Sequence, residues 1–119
     1  MVWPRRGRPV EEVASAYAAA SAAARAPLLP AGVAWTWARM REPGLWLHDA
    51  DGVHPGRLGT YLTALVVYAG LRRIPPVAPT SLEVAGRPFG VPPDVALTLR
   101  EAARDALRTQ LPAASCGPS

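Results

Sequence analysis

Apolar residues recur at helical spacing in three stretches of the chain. Val10, Val13, Ala14, Tyr17 and Ala24 form one stripe, with Pro9 suited to a first helical turn and Glu11 and Glu12 to its positive end, so residues 9–25 are expected to be a helix. Leu58, Tyr61, Leu62, Leu65, Val66, Tyr68 and Ala69 make a wide apolar face between Arg57 and Arg73, the signature of a well-buried helix closed by two arginines. After Pro92 and Pro93, Val95, Leu99, Ala102, Ala103, Ala106 and Leu107 fall on one side and Arg100, Glu101, Arg104, Asp105 and Arg108 largely on the other, which predicts a last helix to about Leu111.

The intervening segments break these periods. Between Pro27 and Trp35 the run Leu28, Leu29, Val33, Ala34, Trp35 is short, apolar and partly β-branched, as a buried strand would be. Residues 1–4 read as the tail end of another strand, and strand, helix, strand predicts a parallel α/β unit. Residues 37–55 are irregular and polar and form the loop in which chemistry is expected. Pro75, Pro76 and Pro79 read as a linker, and Leu82, Val84 and Phe89 around Gly86 as a small turn or hairpin. There is no internal repeat.

Length and composition narrow the class. At 119 residues the chain suffices for one small domain, and with half its residues hydrophobic and 18% charged it has material for a core. Its +4 charge rests on thirteen arginines without a lysine, and the chain also lacks asparagine, a bias typical of GC-rich coding sequence; the high pI is therefore partly compositional. Arg5, Arg6 and Arg8 lack the aromatic interleaving of a nucleic-acid site, so no nucleic-acid partner is expected. The longest uncharged apolar run, Leu58 to Leu71, falls short of the ~18 residues a membrane span needs. Glu11 and Glu12 interrupt any signal-peptide core after the first arginines, so the chain as written reads as cytoplasmic, while a longer parent could be exported. The lone Cys116, in a Ser/Gly/Pro tail, excludes an intrachain disulfide and a cysteine-rich zinc site.

The informative stretch is Leu47-His48-Asp49-Ala50-Asp51-Gly52-Val53-His54-Pro55. Gly52 lets the turn bend freely, so that Asp51 can accept the Nδ1 proton of His54, fix its tautomer and leave Nε2 as a general base. By itself this spacing also fits an ordinary turn aspartate and a surface histidine. His48, Asp49, Asp51 and His54 together carry donor types that suit zinc or manganese, although adjacent side chains point in different directions. The Asp49-x-Asp51-Gly52 fragment lacks the further oxygen ligand and closing glutamate of a calcium loop. Trp35, Trp37 and Trp46 flank the loop; Trp35 is expected in the core, and Trp46 is the candidate wall of a substrate pocket.

Asp51-Gly52-Val53-His54-Pro55, followed by Gly59-Thr60-Tyr61-Leu62-Thr63-Ala64, resembles the last block of the SGNH (GDSL-type) serine hydrolases, and Pro30-Ala31-Gly32-Val33-Ala34-Trp35 and the Pro-led terminal helix also look like the C-terminal part of that family. The resemblance implies the C-terminal portion of a three-layer α/β/α, flavodoxin-like fold without its N-terminal strands. Residues 1–111 would be this partial domain, with last strands, catalytic loop and helix in 1–79 and the terminal helix at 92–111, and 112–119 a disordered tail. It further implies that Asp51 orients His54 and that His54 deprotonates a serine attacking an ester carbonyl of a small-molecule or carbohydrate ester, with no metal or organic cofactor.

The family's Gly-Asp-Ser block and its oxyanion Gly and Asn blocks have no counterpart here, and none of Ser15, Ser21, Ser81, Ser115 and Ser119 has the position of the nucleophile. Met1 is then expected to be an internal or misassigned start, and the chain alone to have little or no activity. The alternative is a non-catalytic interaction module or remnant that self-associates through exposed sheet edges.

Overall fold

The computed structural model describes the backbone of residues 10–25 and 28–115 and the side chains of 15–25 and 28–108. Helix α1 spans Val10–Ala24, α2 Ala31–Arg41 and α3 Arg57–Arg72; strands β1 (Ser81–Val84) and β2 (Arg87–Gly90) precede α4 (Pro93–Ser115). Among the described residues the architecture is mixed α/β, with four helices and a single two-stranded antiparallel sheet.

Helices α2, α3 and α4 pack on one another around a core of Ala34, Trp35, Ala38, Leu62, Leu65, Val66, Leu99, Ala102, Ala103 and Ala106. The expected apolar face of α3 turns inward at Tyr61, Leu62, Leu65, Val66 and Ala69, while Tyr68 is exposed. Arg73 ends α3 in the left-handed conformation, and its N–H closes on the Ala69 carbonyl. Arg41 of α2 and Asp105 of α4 form an ion pair across the helix interface.

Residues 28–35 depart from the expected strand. Leu28 to Pro30 are irregular and α2 begins at Ala31, so the strand of a parallel α/β unit is absent and 28–79 hold no extended pairing beyond an isolated bridge of His48 with Pro55. The reason lies in the alanines: Ala31, Ala34, Trp35 and Ala38 are the buried positions of α2 and recur at i, i+3, i+4 and i+7, which outweighs the β-branched Val33. Pro30 occupies the N-cap, where its missing N–H costs nothing, and Arg39 and Arg41 sit favourably at the negative end. The polar loop accordingly starts at Glu42 rather than at Trp37.

Helix α1 lies where the stripe placed it and, among the described residues, packs on α2 alone of the elements. Tyr17 and Ala24 are nevertheless exposed, because an alanine-rich face offers little apolar area to bury. The expected strand at residues 1–4 lies outside the described residues, as do the side chains of Val10, Val13 and Ala14. At the other end α4 continues past Leu111 to Ser115, into the segment expected as a tail, through the strong helix formers Ala113 and Ala114; 116–119 lie outside the described residues.

The hairpin expected around Gly86 is present. Leu82 faces Phe89 and Val84 faces Arg87, and Ala85 and Gly86 both take positive φ (52° and 77°), as the tight turn of a two-residue hairpin requires. It is fastened to the first turns of α3: Phe89 stacks on Tyr61 with centroids 6.2 Å apart, the Arg57 guanidinium lies 4.2 Å over Phe89, and the Tyr61 hydroxyl donates to the Pro79 carbonyl at 2.8 Å. Burial raises the Tyr61 pKa, which keeps that hydroxyl a donor.

Candidate active-site loop

The segment between α2 and α3 closes on itself. The N–H of Asp49 donates to the His54 carbonyl and that of Gly56 to the Leu47 carbonyl, both at 2.8 Å, and His48 and Pro55 face each other across this neck. At the tip the Gly52 N–H returns to the Asp49 carbonyl at 3.0 Å, and Gly52 takes φ 69°, a conformation that glycine adopts without steric cost.

Asp51 uses both carboxylate oxygens. Its Oδ1 accepts the N–H groups of Val53 (2.9 Å) and His54 (3.0 Å), a local turn that aspartate is chemically suited to make. Its Oδ2 lies 2.5 Å from Nδ1 of His54. The hydrogen bond from the His54 ring, then the backbone N–H bonds of His54 and Val53, hold the Asp51 carboxyl well below the usual carboxylate range. An anionic Asp51 requires a proton on Nδ1 of His54, so the neutral ring presents a lone pair at Nε2. The His54 side chain is 71% exposed, and Nε2 has no protein partner among the described residues.

The carboxylate and imidazole singled out by their spacing are thus brought together, whereas Trp46 sits half-exposed at the entrance to the loop, seven residues upstream of Val53. Trp35 is fully buried and donates from Nε1 to Thr63 Oγ1 at 3.0 Å, as a core tryptophan does, and Trp37 is half-buried with Arg41 over its ring.

His48 and Asp49 do not join the pair. His48 is buried, with its ring edge-on to Trp35, and the Asp49 carboxylate accepts the N–H of Ala50. Among the described residues no three His, Cys, Asp or Glu side chains converge as a metal ion would require. No described serine is hydrogen-bonded to His54; Ser15 and Ser21 lie on α1 and Ser81 on β1. No helix among the described residues is long and apolar enough to cross a membrane.

What the sequence reading missed is how the loop meets the body of the protein. Gly59, in the first turn of α3, is so close to the loop that a Cβ there would collide with the Leu47 carbonyl oxygen and lie 2.6 Å from Trp35 Cζ2. A glycine inside an otherwise apolar helical face was the available signal.

Compared with protein-family models, curated proteins and solved structures, the chain matches none.

Proposed function

We propose that this chain carries the acid and base half of an SGNH-type serine ester hydrolase, with Asp51 orienting His54 and His54 acting as general base. The observation that carries this reading is the 2.5 Å contact of Asp51 Oδ2 with His54 Nδ1 on a self-closed loop that leaves the His54 side chain largely exposed. In the reaction Nε2 takes the proton of a serine hydroxyl as the serine oxygen bonds to the ester carbonyl carbon. The same proton then passes to the departing alcohol, and water repeats the sequence on the acyl group. The serine and the oxyanion donors belong to a part of the enzyme outside these 119 residues, and Trp46 is the candidate wall for the substrate.

In this reading the four helices and the hairpin are the C-terminal portion of a three-layer α/β/α domain. Support comes from α3, which is apolar on both sides: its inner face fills the core, and Tyr68 and Leu71 remain 58% and 66% exposed on the other. The exposed pair of Asp51 and His54 also gains strength once a further layer excludes water from it.

The test is to read the coding DNA upstream of Met1 for an in-frame Gly-Asp-Ser block followed by an Asn block, and to express the extended chain. Hydrolysis of p-nitrophenyl acetate by that chain is expected to fall by at least about 10³-fold on His54→Ala or Asp51→Asn. Unrelated upstream sequence, or hydrolysis indifferent to both substitutions, removes the reading.

The exposed Met40, Leu71 and Val77 favour one alternative, a non-catalytic module that self-associates. Its contact would run through apolar side chains, since the sheet offers only four-residue edges. A discrete stoichiometric oligomer in light scattering supports it, and a monomer or polydisperse aggregate opposes it.

A further inference from the structure

The loop that presents His54 is exposed almost throughout. From His48 to His54 the only buried side chain is that of His48, at 3% exposure. Whatever fixes the height and tilt of the loop over the protein body must therefore act through Leu47 and His48 or through the backbone at the neck. Three contacts converge there. The His48 ring stands edge-on to Trp35, with centroids 4.8 Å apart and planes at 75°. Trp35 is itself immobilised by its bond to Thr63 and by the close approach of Gly59 to its six-membered ring. Gly56 leaves its own Cβ position to the His48 carbonyl, which would lie only 2.8 Å from a methyl group there.

We propose that His48 is a positioning residue for His54. Its ring, seated on Trp35, sets the register in which Asp49 pairs with the His54 carbonyl, and that register delivers Nδ1 of His54 to Asp51 Oδ2. This rests on reading His54 as the general base. The sequence Trp35, His48, Asp49, His54 is a chain of direct contacts, each link a packed ring, a peptide bond or a hydrogen bond, so displacement of the first ring is transmitted to the last. The tip by itself cannot supply this constraint. Asp51 holds the turn from Gly52 to His54, but those bonds are internal to the loop and do not fix it to the helices.

The test is nitrogen NMR of the whole chain with ¹⁵N-labelled histidine, in alkaline buffer. The parent is expected to show His54 as the Nδ1–H tautomer with a protected Nδ1 proton. His48→Ala is expected to lose that proton signal and shift His54 to the Nε2–H form, with the helical circular dichroism unchanged. His48→Phe keeps an aromatic edge against Trp35 and is expected to restore the parent signature. If His48→Ala does not fold, Gly56→Ala displaces the His48 carbonyl while leaving the core intact, and is expected to cause the same loss. Retention of the signature in His48→Ala, its loss in His48→Phe, or its retention in Gly56→Ala overturns the positioning role. A parent chain that shows the Nε2–H tautomer from the outset overturns instead the reading of His54 as an Asp-oriented base, so the two failures are distinct.

Discussion

Two glycines of one helix make opposite demands on a methyl group. In an isolated helix, glycine to alanine gains about 1 kcal/mol from backbone entropy. At Gly59 the added Cβ would lie 2.6 Å and 2.7 Å from Trp35 Cζ2 and Cη2, and closer still to the Leu47 carbonyl oxygen. Ordinary contacts start near 3.4 Å, so the Trp35 ring must retreat by the better part of an ångström and the Leu47 oxygen by more than that. Neither can do so freely. Trp35 is fully buried and bonded to Thr63, and the Leu47 carbonyl is the acceptor that closes the loop onto Gly56. Overpacking costs typically 1–3 kcal/mol, and loss of the neck bond adds about 1 kcal/mol. Against the helix gain, Gly59→Ala is expected to destabilise by about 1–3 kcal/mol.

At Gly70 the close atom is Leu29 Cδ2, the far end of a flexible side chain, and Leu107 Cδ2 is already at 3.4 Å. There the helix gain offsets the rotamer adjustment, and Gly70→Ala is expected to stay within about 1 kcal/mol of the parent. Urea unfolding followed by helical circular dichroism separates the two. With a slope of about 1–2 kcal/mol per molar, Gly59→Ala lowers the midpoint by roughly 0.5–3 M, and Gly70→Ala moves it less. A Gly59→Ala protein as stable as the parent, or a Gly70→Ala protein weaker than Gly59→Ala, refutes the packing described at the junction of loop and helix.

Tyr61→Phe removes the hydroxyl bond to Pro79 but keeps the stack with Phe89, and thermal unfolding is expected to report a loss of about 0.5–1.5 kcal/mol; no change would mean that the bond does not fasten the hairpin. Acid titration of the Val53 and His54 amide signals checks Asp51. Because its folded-state pKa is depressed from 3.8, its contribution to loop order is present above that value and disappears as pH falls through the folded-state pKa. The amide midpoint is accordingly expected well below 3.8, and a midpoint at or above it contradicts the hydrogen bonding of Asp51.

Features governed by nearby residues were legible in the sequence. The inner face of α3 follows from residues three and four apart, the hairpin from the turn at Gly86, and the meeting of Asp51 with His54 from a three-residue spacing with Gly52 between them. Residues 28–35 depart from the expected strand because a short apolar run looks alike as strand or helix, and the deciding period, carried by small alanines, extends beyond the run to Ala38. The burial of His48 was not legible at all. It depends on Trp35 from α2 and on a close approach that Gly59 permits from α3, and no local pattern encodes such a three-way meeting.

The neck of the loop carries one more consequence. Its two amide bonds and the buried Leu47 and His48 lie on one side of the tip, while the bonds of Asp51 lie wholly within it. The tip is therefore a unit that opens without disturbing the helices, and its amide protons should exchange with solvent deuterium in two tiers. Val53 and His54 exchange at the rate at which the tip alone opens, Asp49 and Gly56 at the slower rate at which the neck parts. The ratio of those rates measures how much rigidity the protein body lends to the imidazole.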